Sequence, residues 1–176
     1  DLHSFPTRRS SDLIGMFEHV GLRYLKAYFE KIHSLLADGG LVLNHGITSS
    51  DQESAEVGMG AGDFIHRYVF PHGELPHASL VLHEMASAKL EATDVESLRR
   101  HYAMTCQEWA GRLEQNRERA IAAAGDRRYR IWQVYLAACA HGFAHEWMNI
   151  YQVLARKGGT ASNPLPLTRD YMYRGA

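Results

Sequence analysis

From Leu13 onward the chain alternates between two hydrophobic rhythms. LIGMFEHV is a short apolar run that turns polar at Glu18-His19, which predicts a buried strand ending in a loop. Leu22, Leu25, Tyr28, Phe29, Ile32, Leu35 and Leu36 then recur at helical spacing and predict an amphipathic helix over 22–37. Asp38-Gly39-Gly40 is a glycine stop for that helix. LVLNHGI, 41–47, is a second strand, apolar through Leu43 and polar at Asn44-His45. Strand, helix, strand with tight glycine turns predicts a βαβ unit, hence a parallel sheet covered by helices.

The stretch 48–77 breaks this rhythm. It holds Gly58, Gly60, Gly62 and Gly73, with Pro71 and Pro76, around the aromatic run FIHRYVFPHGELP. It predicts an excursion, part helix and part loop, over one face of the sheet. Helical spacing resumes at 78–89, and LEATDVESL predicts the next strand. Residues 105–124 predict a helix with Thr105 as N-cap and Glu108 completing a capping box. Helix resumes at about 127–141, and MNIYQVLAR, 148–156, is the last strand. The predicted fold class is α/β: the later part of a Rossmann-like sheet, with a helical insertion over its ligand-bearing face. No GxGxxG and no P-loop is present.

Three segments follow. Residues 158–176 are a Gly/Pro/Ser/Thr tail without a clear period, and 14–157 are the domain. DLHSFPTRRSSDL, 1–13, is polar and unpatterned; it reads as non-native sequence resembling an adapter read-through, or else as a natural N-terminal arm. The fold reasoning sets it aside.

Composition narrows the class. At 176 residues the chain suits one domain with a real core. Nineteen basic against twenty acidic residues give a net charge of −1, without the basic excess of a nucleic-acid binder. No window of 18 or more apolar residues appears, so no transmembrane segment is expected. Cys106 and Cys139 lie far apart without a CxxC, which points to a reducing, cytoplasmic compartment. Eleven histidines, among them His72, His77 and His83, show no HExxH or His/Cys spacing, so no metal site is expected.

In open α/β sheets ligands bind beyond the carboxyl ends of the strands. Glu18-His19 and His45 fall there. If the two strands are neighbours, Glu18 and His45 converge, and a carboxylate beside an imidazole can hold and move a proton. A strand-end Glu making a cap or surface contact is the competing reading.

IGMFEHVG, YFEKIHSLLADGGLVLNHGIT, FIHRYVFPHGELP, LRRHYAMTCQEW and MNIYQVLAR together resemble the cyclopropane-fatty-acyl-phospholipid synthases and mycolic acid cyclopropane synthases, in family order over about residues 14–156. The resemblance implies a class I methyltransferase fold using S-adenosylmethionine. It implies methylene transfer to a cis double bond of a phospholipid acyl chain, with a bound bicarbonate taking the proton lost on ring closure. Carried onto this sequence, Glu18, His45 and Tyr102 are the catalytic residues, and the bicarbonate cradle is Glu18, His45, the backbone at Ile47, and Tyr102. Ile14 and Gly15 would pass beside the cofactor. Phe64, Tyr68 and Phe70 would line the acyl channel, or equally pack the insertion onto the sheet. His19 is expected to support its loop.

The chain departs from the family pattern in lacking the glycine-rich cofactor loop and an upstream cysteine near it. As written it is expected to bind S-adenosylmethionine poorly, so the implied function is that of a longer parent protein. Two alternatives stay open: a methyltransferase acting on an amine or other small molecule, and a non-catalytic lipid-binding fragment. Arg127, Arg128 and Arg130 are candidates for docking on anionic headgroups at the inner face of a membrane.

Overall fold

A computed structural model describes residues 8–51, 61–159, 163 and 165–173. Parts of the N-terminal segment, the 48–77 excursion and the C-terminal tail therefore lie outside the described residues. Four strands form one sheet in the order β1 (Arg8–Ile14), β2 (Leu36–Ser49), β4 (Met148–Lys157), β3 (Leu90–Ser97). β1 and β2 run parallel, joined by α1 (Leu25–Leu35), which is the expected βαβ unit. β4 is antiparallel to both β2 and β3, so β1, β2 and β3 point one way and β4 alone is reversed. The sheet is mixed rather than wholly parallel. A reversed strand needs no helical crossover to reach its neighbour's edge.

Side chains of β2 alternate between two helical layers, as pleating requires. Val42 joins the core that α1 and α3 (Ala78–Ser87) build from Leu25, Phe29, Ile32, Val81 and Met85. Each such side chain, buried, contributes about 1.5–3 kcal/mol. Ile47 joins a second cluster on the opposite face, with Cys106 of α4 (Arg99–Gln115), Cys139 and Phe143 of α6 (Asp126–Ala144), and Met148 and Ile150 of β4. Short helices α2 (Ala61–Tyr68), α5 (Arg117–Ala124) and α7 (Asp170–Tyr173) complete the described α-helices, and 3-10 turns lie at Phe17–His19 and Leu22–Tyr24.

Several sequence expectations are corrected. β1 starts at Arg8, so Arg8–Leu13, set aside in the sequence, pair with β2. The strand expected through LIGMFEHV ends at Ile14, and Phe17–His19 form a 3-10 turn. Gly15, at φ +62, makes that break. Asp38-Gly39-Gly40 does not separate helix from strand: the helix ends at Leu35 and the glycines lie inside β2, where the pairing jumps from Arg8–Leu36 to Ser10–Leu41 as a bulge. Thr105 caps nothing, because α4 begins six residues earlier without a side-chain cap. Tertiary anchoring replaces the cap: Arg99 donates to the Phe143 carbonyl at 2.7 Å and pairs with Glu146 at 2.9 Å. The tail carries the short α7.

Candidate functional site

The site lies where β1 and β2 end. The Gly15 N–H donates to the His45 carbonyl at 2.8 Å, which fastens the end of β1 to β2. The chain then turns through Phe17–His19 against the sheet. Phe17 is buried over Gly46, where a side chain could not fit: a Cβ on Gly46 would stand 2.2 Å from the Phe17 ring. This close approach sets the height of the next residue, Glu18.

Glu18 is 7% exposed. Its Oε1 accepts the Ile47 N–H at 2.8 Å, and its own carbonyl accepts the Glu74 N–H at 3.0 Å. Glu74 Oε2 in turn accepts the Leu22 N–H at 2.7 Å, tying the turn to the following loop. Glu18 Oε2 is buried with no hydrogen-bond partner. Burial raises the carboxyl's pKa, against the lowering effect of the Ile47 N–H and the nearby His19. The group therefore keeps its proton to higher pH than an exposed glutamate.

His45 and Ile47 sit two positions apart and share one face of β2. The Nε2 atom of His45 is 2.9 Å from the Tyr102 hydroxyl, brought there by α4. Burial lowers the imidazole's pKa and keeps it neutral at physiological pH. Its Nδ1 is buried with no partner. With the proton on Nδ1, Nε2 accepts from the Tyr102 O–H and the Nδ1–H is left to donate. The Tyr102 hydroxyl is itself raised in pKa, by burial and then by Cys106 and Glu18, which places it within electrostatic reach of the carboxyl. Glu18, His45 and Tyr102 are thus gathered on one side of the sheet.

A cavity of about 210 Å³ is bordered by Gly15, Glu18, His19 and Ile47; His45 and Tyr102 do not line it. Its other walls are Gly62, Ile65, His66, Phe70, Gly73, Leu75, Tyr135, Cys139 and Met148. Among the described residues Glu18 is the lone carboxyl lining a largely apolar chamber. Of the aromatic trio, Phe70 lines it, meeting His19 edge-on at 5.3 Å. Phe64 and Tyr68 meet each other at 5.3 Å with their rings tilted by 50° and do not border it; the face of α2 turned inward is Gly62, Ile65 and His66. Gly15 lines the cavity, whereas Ile14 is 71% exposed and does not. The Ile47 N–H, expected to face an anion, is engaged by Glu18 instead. Among the described residues no group of three His, Cys, Asp or Glu could hold a metal, and no helix is long and apolar enough to cross a membrane. His77 caps α3 by accepting from the Ser79 N–H.

Sequence reasoning missed Tyr135 and Cys139. Their four-residue spacing was visible, but only the docking of α6 turns that face inward. Burial pushes the Cys139 thiol up to about 11, and Cys106 is also raised by burial. Neither is a thiolate nucleophile at neutral pH.

The mixed sheet with helices on both faces and a site at its strand ends is that of a Rossmann-like class I methyltransferase. Solved structures bear this out. The cyclopropane synthase MmaA2 from Mycobacterium tuberculosis superposes with a TM-score of 0.80 at 27% identity, over 86% of this chain and 56% of that one. Mycolic acid cyclopropane synthase CmaA1 complexed with SAH and CTAB gives 0.78 at 30% identity, over 89% and 57%. The mycolic acid cyclopropane synthetase family model matches residues 10–153, and the chain belongs to that family. A probable fatty acid methyltransferase of Pseudomonas putida is 48% identical over 162 residues, 92% of this chain and 41% of the relative. The chain thus spans about half or less of the curated relatives' length.

Proposed function

We propose that the protein to which this chain belongs transfers a methylene group from S-adenosylmethionine to a cis double bond in a phospholipid acyl chain, giving a cyclopropane ring. The observation that carries this reading is a buried, half-satisfied carboxyl, Glu18, lining an apolar cavity and held by Ile47, two residues along β2 from the His45 that bonds Tyr102. Alkyl substrate needs apolar walls, and Ile47, Ile65, Phe70, Leu75 and Met148 supply them. Those walls also keep water from the positive charge that develops on the acyl carbons.

S-adenosylmethionine, when bound, supplies an electrophilic methyl on sulfonium. This chain offers it the Gly15 bend, which lines the cavity and where a Cβ would meet nothing within 4 Å. The glycine-rich loop expected to hold the rest of the cofactor is not among these 176 residues. In net terms the methyl carbon's bond to sulfur breaks, two bonds to the former alkene carbons form, and one methyl hydrogen leaves as a proton.

That proton needs an acceptor, and the unpartnered Glu18 Oε2 and His45 Nδ1 suit a small anion such as bicarbonate. His45 donates from Nδ1, and Glu18 Oε2 accepts from the bicarbonate hydroxyl, which orients the anion and raises its basicity. Tyr102 fixes the imidazole's tautomer. Ile47 serves by orienting Glu18.

The test uses the full-length enzyme, S-adenosylmethionine deuterated in its methyl group, and unsaturated phospholipid vesicles, with and without bicarbonate. Mass spectrometry of released acyl chains should show a cyclopropane that has lost one label atom per transfer, formed faster with bicarbonate. Label appearing only on an amine headgroup, or nowhere in lipid, would replace this reading with one of its alternatives.

A further inference from the structure

Along α6, Arg128, Trp132, Tyr135 and Cys139 follow one another at steps of four, three and four, which places them on one stripe. The inner end of the stripe is the cavity wall, Cys139 and Tyr135. Tyr135 lies within electrostatic reach of Glu18. The Trp132 ring stands edge-on to Tyr135 at 5.4 Å and is 43% exposed. One turn further out, Arg128 is exposed and makes no ion pair or hydrogen bond among the described residues. Its neighbour Arg130 differs: Asp126 holds it at 2.8 Å.

The stripe therefore grades from a buried apolar chamber, through a half-exposed indole, to an exposed guanidinium. That is the order of parts in an anionic phospholipid docked tail-first: acyl chain, interface, phosphate. Indole rings favour the bilayer interface, and guanidinium matches phosphate geometry. The length fits as well. Seven to eleven residues of helix separate Arg128 from Tyr135 and Cys139, about 10–16 Å. One leaflet's hydrocarbon is about 15 Å deep. A phosphate at Arg128 thus brings the middle to lower part of an acyl chain level with Glu18.

We propose that this stripe is the track by which a phospholipid enters the cavity, with Arg128 binding the headgroup phosphate, Trp132 seated at the membrane interface, and their distance from Glu18 selecting which double bond reacts. The proposal rests on the acyl-chain reading of the cavity. It narrows the arginine trio of the sequence to Arg128 as the phosphate contact.

The test compares full-length wild type with Arg128→Gln, Trp132→Phe and, as control, Arg130→Gln. Vesicles are phosphatidylglycerol or phosphatidylcholine, each with monounsaturated chains. Flotation should show Arg128→Gln weakening binding to phosphatidylglycerol vesicles about fivefold, with Arg130→Gln near wild type. Brominated lipids should quench wild-type tryptophan emission, and Trp132→Phe should remove most of that quenching. Lipids with the double bond moved toward the headgroup should react more slowly. Equal effects of Arg128→Gln and Arg130→Gln, or quenching that survives Trp132→Phe, overturn the track. Glu18→Gln reports separately: if turnover still needs Glu18 while the vesicle arms fail, the track alone is wrong. If turnover ignores Glu18 while the vesicle arms succeed, the cavity reading is wrong.

Discussion

Gly46→Ala isolates the contact that positions the site. The added Cβ would lie 2.2, 2.6 and 2.9 Å from Cε1, Cζ and Cδ1 of Phe17, three ring atoms at distances real Cβ atoms do not reach. The ring cannot swing clear, because Phe17 is 2% exposed and belongs to the α1–α3 core. Overpacking of this kind costs about 1–3 kcal/mol. For a domain of this size each kcal/mol lowers Tm by roughly 2–4 °C. The displacement also has a direction. Phe17 precedes Glu18, so relief of the clash lifts the turn away from β2 and stretches the bond from the Ile47 N–H to Glu18 Oε1. Gly158→Ala is the matched control: its Cβ would meet the Lys89 carbonyl at 2.8 Å, at the opposite end of β4 from Met148, which lines the cavity. Urea unfolding measures both variants, and turnover is then compared at a temperature where both stay folded. Gly46→Ala should lose turnover beyond what its lost stability explains, and Gly158→Ala should not. An unchanged urea midpoint with full turnover in Gly46→Ala would refute the reasoning.

Tyr102→Phe removes the hydroxyl bonded to His45. It should cost about 1 kcal/mol in stability, while turnover falls much further and S-adenosylmethionine affinity holds; equal losses in turnover and affinity would speak against the proposed role. Glu18 has a raised folded-state pKa, so its contribution to stability is present below the ordinary value near 4.5 and is lost as pH rises through the folded value. Glu18→Gln should flatten that part of the urea-midpoint profile against pH and leave the protein no less stable near neutrality, even as activity is lost. His45 acts with the opposite sign: its lowered pKa gives stability that is present above 6.5 and lost as pH falls through the folded value, and His45→Gln should remove that acid-side slope. With its thiol near 11, Cys139 should react slowly with iodoacetamide at pH 7.5; rapid labelling would reverse that assignment.

What the sequence displayed and what it hid follow from the range of the interactions. The βαβ unit was legible because α1 and β2 bury residues at the periods their own geometry imposes. β4's reversal was not, because strand direction depends on partners far along the chain. Asp38-Gly39-Gly40 looked like a stop; glycine also permits a bulge, and pairing with β1 decides between the two. Thr105 and Glu108 matched a cap, yet Arg99 reaching the end of α6 starts the helix earlier. Glu18 and His45 were readable as strand-end polar residues, and Tyr102 through the family resemblance. Tyr135 and Cys139 carried only a helical spacing that many core residues share. Phe64 and Tyr68 were chosen for their chemistry, and α2's rotation left them packed against each other, away from the cavity.

The most direct measurement is the turnover of full-length enzyme carrying Glu18→Gln on monounsaturated phospholipid, beside wild type, with folding and S-adenosylmethionine affinity verified for both. The account predicts a well-folded variant that binds the methyl donor normally and forms almost no cyclopropane. A variant that forms it at the wild-type rate would contradict the claim that this buried carboxyl serves the reaction.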